Sequence, residues 1–331
     1  MRVRQRTRQP CEGPGVPPWV VPISLPTPYP IGPVTVYLLL GEPLTLVDTG
    51  PGTREAWDAL RLALAKRSLR PGDVRRVLVT HGHHDHFGLA RHFLRGGATV
   101  AAHAYERRNL ALARDYPILW RQLASAGLPM TRRLPLVVGL RMLDRTARPV
   151  TEAEWLSDGQ EVEHERGPIR VHHTPGHSPG HVAFELGGEG VLITGDTILD
   201  GVTPNAVVDA DPEHPERPFL ALAAYAATLD RFDRLRPQRL LPAHGPCIAD
   251  VAGQTSLLRE RQAKRTAEVR AALGGGPATV AQLIARLFPA VSFLGIFLAF
   301  SEVLGHLMEL ERRGDVRRIS VRRVERWSPV N

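Results

Sequence analysis

One change of character within a dozen residues constrains this chain most. Val74–Thr80 reads as a β-strand of the buried kind, and it runs straight into His81-Gly82-His83-His84-Asp85-His86. In extended backbone, residues two apart project to the same side, so His81 and His83 are placed to share one ion. Asp85 and His86 fall where the chain turns into the next helix, which directs them at a second ion. Imidazole and carboxylate are the ligands expected of zinc and similar divalent metals. A fold that hosts this run must bury a strand along its length and open its carboxyl end to solvent, as layered α/β folds do.

The flanking sequence keeps that rhythm. Val34–Leu40 and Leu44–Val47 read as strands, the second ending at Asp48-Thr49-Gly50. Residues 54–67 carry apolar positions at helical spacing, 87–95 read as helix, and 98–102 as another strand. Strands resume at 161–165, 169–173, 181–186 and 191–194, a helix fits 216–235, and 239–241 is a last strand. This second series mirrors the first, so two β-sheets packed face to face, with helices outside, are expected. Three divisions follow: a Pro-rich N-terminal arm at 1–19, a catalytic domain at 20–254, and a third segment at 255–331. That last segment reads as helices at 258–273, 279–287 and 298–313, then a hairpin at 316–327, the layout of a winged-helix module.

Charge is unevenly spread. Residues 104–149 hold nine arginines against three acidic residues, whereas 150–254 hold seven basic and seventeen acidic ones. The basic block, divided by Pro117, Pro129 and Pro135, reads as a helical insertion capping the core. Its Arg132 and Arg133, with Tyr116 and Trp120, are the substrate-binding candidates, the arginines for an anionic group and the rings for stacking. The chain has only two cysteines, Cys11 and Cys247, too few for a disulfide framework, so Cys247 is expected to be a small buried thiol in a reducing compartment. No secretory leader is read at the start. The longest apolar stretch, Phe288–Leu304, is broken by Pro289, Ser292, Ser301 and Glu302, so no membrane span is expected and a cytoplasmic location is. Val291, Phe293, Leu294, Ile296 and Phe297 form an apolar cluster for the core or for a second copy of the chain.

Three more segments place ligand-type residues after strands: Thr174-Pro175-Gly176-His177, Thr194-Gly195-Asp196-Thr197 and Pro242-Ala243-His244-Gly245. With Asp48-Thr49-Gly50 and the run at 81–86, they form an ordered five-part pattern that resembles the metallo-β-lactamase-fold hydrolase superfamily over about residues 20–250. The resemblance implies a four-layer αββα sandwich with a two-metal site at one edge. His81, His83 and His177 would hold one ion, Asp85, His86 and His244 the other, and Asp196 would bridge them. Asp48 would orient a ligand histidine from behind. Two zinc ions are implied, with iron or manganese as alternatives. The implied chemistry is attack by a metal-bridging hydroxide on a carbonyl or phosphoryl group, with Asp85 or Asp196 moving its proton.

The ligand pattern is similar to the glyoxalase II, lactonase and nuclease branches, and the tail is closer to the β-lactamase-like protein 2 branch. The expected function is hydrolysis of an ester or thioester of a small anionic substrate. The alternatives are a metal-dependent endoribonuclease on single-stranded RNA, a lactonase, and an iron persulfide dioxygenase. For the nuclease reading, Arg312, Arg313, Arg317, Arg318, Arg322 and Arg323 would grip phosphates. His84, His172, His173 and His181 are read as packing or loop residues, and His103 as a weaker supporting group.

Overall fold

The computed structural model describes residues 15–113, 115–205, 208–292, 295–321 and 323–330. Residues 1–14 of the arm, with Cys11, lie outside these, as do Phe293, Leu294 and Arg322.

Six strands form the first sheet in chain order: β1 (Val20–Leu25), β2 (Val34–Leu39), β3 (Thr45–Val47), β4 (Arg76–Leu78), β5 (Thr99–His103) and β6 (Glu154–Leu156). β1 to β3 pair antiparallel, and β3 to β6 pair parallel. The second sheet has the order β11-β10-β9-β8-β7, from β7 (Glu161–Val162), β8 (Ile169–His173), β9 (Val182–Leu186), β10 (Val191–Gly195) and β11 (Arg239–Pro242). Two strands differ from the sequence reading. β1 lies in a Pro-rich stretch without strand periodicity, yet six cross-strand pairs with β2 hold it as the sheet edge. β6 is three residues long and is fixed by its pairing with β5.

The sheets face each other through Tyr37, Leu39, Val47 and Leu78 on one side and Ile169, Val171, Phe184 and Ile193 on the other. Outside the first sheet pack α1 (Arg54–Ala65), which buries Ala56, Leu60 and Leu64, and, beyond the short α2 (His84–Phe87), α3 (Ala90–Arg95). The expected helix over 87–95 is thus two pieces broken at Gly88-Leu89. The outer face of the second sheet is covered from the far end of the chain, as described below. Four layers, αββα, result.

The basic insertion contains α4 (Arg107–Leu110), α5 (Tyr116–Ser125) and α6 (Met130–Leu143). Beyond it, α7 (Ala221–Leu235) covers the second sheet with Tyr225, Leu229 and Phe232. The remaining elements are α8 (Val251–Ala271), α9 (Val280–Leu287), α10 (Gly295–Arg312) and the hairpin β12 (Val316–Val321) and β13 (Val324–Pro329). Three helices and a hairpin therefore follow in the expected order, with α8 starting earlier than its spacing suggests. Residue 254 lies inside α8, whose Leu258 joins the α7 core while its Val269 joins the tail core.

Expected as a cap, the insertion buries its apolar face against the tail. Leu119, Leu123, Leu136 and Leu140 share one cluster with Leu283, Phe300, Leu307 and Trp327. Ile296 is buried in the same cluster, with Val291 and Phe297 packed on it, so these three belong to the intramolecular core. Cys247 is disulfide-bonded, not the free thiol expected, so the inference from unpaired cysteines to a reducing compartment loses its footing. No helix among the described residues is long and apolar enough to cross a membrane.

Candidate metal centre

The carboxyl ends of β3, β4, β8, β10 and β11 deliver Asp48, the 81–86 run, His177, Asp196 and His244 to one edge of the sandwich. A strand fixes the position of the residue just past its end, while the loop beyond is free to turn a side chain inward. His81 and His86 are fully buried, and His177, Asp196 and His244 are nearly so. His81 Nε2 lies 2.9 Å from His83 Nδ1, which lies 3.0 Å from His177 Nε2. His86 Nε2 is 3.8 Å from Asp85 Oδ1, and His244 Nε2 is 3.5 Å from Asp85 Oδ2. Asp196 spans the two groups: its Oδ2 is 3.6 Å from both His86 Nε2 and His177 Nε2, and its Oδ1 is 3.7 Å from His244 Nε2.

The outward nitrogens of these rings are already bonded. His86 Nδ1 donates to Asp48 Oδ2 (2.8 Å), His177 Nδ1 to the Asn205 carbonyl (2.9 Å), and His244 Nδ1 to the Pro33 carbonyl (2.8 Å). Each bond fixes the tautomer and leaves Nε2 facing the cluster. Asp48, in a left-handed turn with φ 58°, is itself held by the Thr80 backbone N–H and hydroxyl, both at 2.8 Å.

The donor set fits divalent cations. Burial and the neighbouring imidazoles hold His81 and His83 well below the usual histidine range, so both present lone pairs. For Asp85 and Asp196 burial pushes upward but the surrounding histidines outweigh it, holding Asp85 at about 2 and Asp196 well below the usual carboxylate range. His86 Nε2, His244 Nε2 and Asp196 Oδ1 are buried with no hydrogen-bond partner among the described residues. Inward-facing nitrogens and ionised carboxylates this close are stable together only around positive charge. His86 and His244, held against burial above the usual histidine range by Asp196 and its neighbours, supply that charge as protons until a cation replaces them. Three groups of ligand atoms satisfy that closeness: His81–His83–His177, His81–His86–Asp196 and Asp85–His86–His244.

Two residues without an assigned role hold the cluster together. Glu106, fully buried just past β5, accepts from Gly82 N (3.0 Å) and Asn109 Nδ2 (2.9 Å) on Oε2, and from Ser178 Oγ (2.6 Å) and Gly180 N (2.8 Å) on Oε1. It ties the His81–His83 loop to the His177 loop. A Cβ on Gly82 would stand 2.6 Å from Glu106 Oε2, and one on Gly180 would stand 2.8 Å from its Cγ, so both positions require glycine. The one available signal was an acid directly after a strand within an arginine-rich block. His181, read as packing, accepts from the Asp196 backbone N–H at Nε2 (3.1 Å) and meets Thr174 and Thr197 hydroxyls at Nδ1.

The other histidines have local partners. His84 is 3.5 Å from Asp144, and His172 pairs with Glu185 at 2.7 Å. His173 donates to the Pro179 carbonyl and stacks on His103. Of the substrate-binding candidates, Tyr116 and Trp120 lie in the insertion–tail packing. Tyr116 is buried under Arg141 and bonds Asp144, Trp120 is covered by Arg133, and Arg132 is exposed on α6.

Against this geometry, the metallo-β-lactamase superfamily profile matches residues 29–244. The chain belongs to that superfamily. It is 30% identical to the probable metallo-hydrolase YqjP of Bacillus subtilis over 88% of this chain and 92% of that one. It is 28% identical to the atrochrysone carboxyl ACP thioesterase nsrC of Aspergillus novofumigatus, over 81% and 71% of the two. A metallo-β-lactamase family protein of Thermus thermophilus superposes with a TM-score of 0.83 at 32% identity, covering 95% of this chain and 99% of that one. Superfamily and relatives together make the chain a metallo-hydrolase, with the His/Asp cluster as its place for metal.

Proposed function

We propose that the protein hydrolyses an acyl thioester or related ester of a small anionic substrate at a dinuclear centre, with zinc as the resident metal. The observation that carries this reading is Asp196, whose Oδ2 lies 3.6 Å from both His177 of one group and His86 of the other, while its Oδ1 faces His244. His81, His83 and His177 would hold one ion and Asp85, His86 and His244 the other, with Asp196 common to both. Bound ions would supply an acidified water and polarise the acyl oxygen. Asp85, ionised and beside His244, is placed to take a proton from the attacking water. Water adds to the acyl carbon, the carbon–sulfur bond breaks, and the thiol leaves with the proton, so no redox partner is needed. The thioesterase among the relatives supports this substrate class.

We read the tail as a winged-helix-like accessory. Several tail cations are already paired, which weakens the nuclease alternative: Arg312 and Arg313 hold Glu309 at 2.8 Å, and Arg318 reaches Glu311 at 3.2 Å. The test is thiol release from acyl-coenzyme A and acyl-glutathione panels by zinc-loaded protein. Release is expected, and Asp196→Ala or His83→Ala lowers it at least roughly 10²-fold with the fold intact. Full turnover by either variant, after metal content is checked, would overturn the assignment.

A further inference from the structure

Beside the His177 loop a cavity of about 430 Å³ opens between residues 201–205, α7, α8 and α10. Asn205, Leu222, Arg261, Lys264, Arg265 and Glu302 are among its walls. Arg265 is committed to acids, lying 2.7 Å from Glu268 and 2.7 Å from Glu302. Arg261 and Lys264, three apart and so on one face of α8, have no ion pair among the described residues. Their charge is available to an anion.

Asn205 supplies the second element. Its Nδ2 donates to the Leu298 carbonyl at 3.0 Å, while its buried Oδ1 has no partner among the described residues. A buried amide oxygen of this kind calls for an N–H donor. The backbone carbonyl of the same residue receives the outward Nδ1 of His177, so the cavity adjoins the residue that positions this histidine. A ligand matching these groups has an anion for Arg261 and Lys264 and an amide N–H for Asn205. It also has apolar surface for Leu222.

We propose that this cavity holds the phosphopantetheine arm of an acyl thioester, its phosphate at Arg261 and Lys264 and an amide N–H on Asn205. The proposal rests on the thioester reading above and names the thiol half of the substrate. It moves the anion contact from the α6 arginines to α8.

The test uses the full chain and coenzyme A as a binding probe, followed by calorimetry, for the unmodified protein and for Arg261→Ala/Lys264→Ala. Binding at least roughly tenfold weaker in the variant is expected, since two charge-assisted contacts are lost. Lys264 is exposed, so Lys264→Glu alone gives a second variant that the fold tolerates if the double one unfolds. Equal binding to all three proteins, or no binding to any, overturns the proposal whether or not thioesters are hydrolysed. Turnover separates the two readings. KM for an acyl-coenzyme A should rise in the variant with kcat unchanged, while the matching acyl-N-acetylcysteamine, which lacks the phosphate, is hydrolysed as before. Loss of coenzyme A binding in the variant without hydrolysis of any thioester would uphold the cavity and sink the thioesterase. An acylated carrier protein distinguishes the source of the arm. A KM effect matching that on acyl-coenzyme A supports the arm, and an effect on coenzyme A alone assigns the cations to its nucleotide phosphates and overturns it.

Discussion

At the scale of single residues, the proposed metal ligands are the smaller part of what holds the centre. Three of the imidazoles, those of His86, His177 and His244, keep the inward nitrogen available because the other nitrogen is engaged by Asp48, by the Asn205 carbonyl or by the Pro33 carbonyl. Glu106 acts one step further out, on the loops themselves. Four donors converge on its two oxygens, so Glu106→Gln keeps the shape but turns an NH₂ group toward two donors. Metal affinity should fall roughly 10- to 100-fold, the usual range when a supporting contact of a metal site is lost. Equilibrium dialysis with zinc measures it, and unchanged affinity would reduce Glu106 to a space-filler. The sequence displayed the ligands because histidine and aspartate at strand ends are uncommon in such a pattern. It concealed Glu106 because one glutamate in a charged segment looks like any solvated acid.

Among the elements, the pairing of α8 with α10 is sensitive to acid. His306 on α10 is buried and meets the Thr266 hydroxyl of α8 at 2.8 Å. Burial first, then Arg265 and Arg313, push its pKa down to about 4, against the opposing pull of Glu309. The unfolded chain therefore takes up this proton near pH 6.5 and the folded chain only near 4. Stability from this group is complete above pH 6.5 and is lost as pH falls toward 4, by up to about 3 kcal/mol. Denaturant unfolding across that window should show a shallower pH dependence for His306→Gln. His103, also held at about 4, titrates in the same window, so the comparison with the variant isolates His306. An identical slope in the variant would remove His306 from the account.

For the whole molecule, the insertion and the tail are one structural unit although more than a hundred residues separate them. Leu123 and Leu136 are fully buried because Phe300, Leu307 and Trp327 cover them. A chain ending at Asp250 would expose that face and also strip Leu258 from the α7 core. Such a chain should aggregate or lose metal, as read by light scattering and metal analysis. A soluble, fully active truncated chain would show the tail to be dispensable. Phe300→Ala in the intact chain is the milder test, expected to cost about 3–5 kcal/mol of stability.

By itself the sequence indicated two facing sheets, the chain positions of all their strands except β1 and β6, and the residues that meet at their edge. Alternation of apolar residues and ligand types placed after strands are local signals, readable without knowing what packs where. β1 and β6 were not legible, because short or Pro-rich strands are stabilised by their partners and not by their own composition. The role of the insertion was decided only by tertiary structure. An amphipathic helix announces that one face will be buried but not which surface will bury it. Here that surface is the tail, and the same folding leaves Arg261 and Lys264 of α8, without an ion pair among the described residues, beside the loop that carries His177.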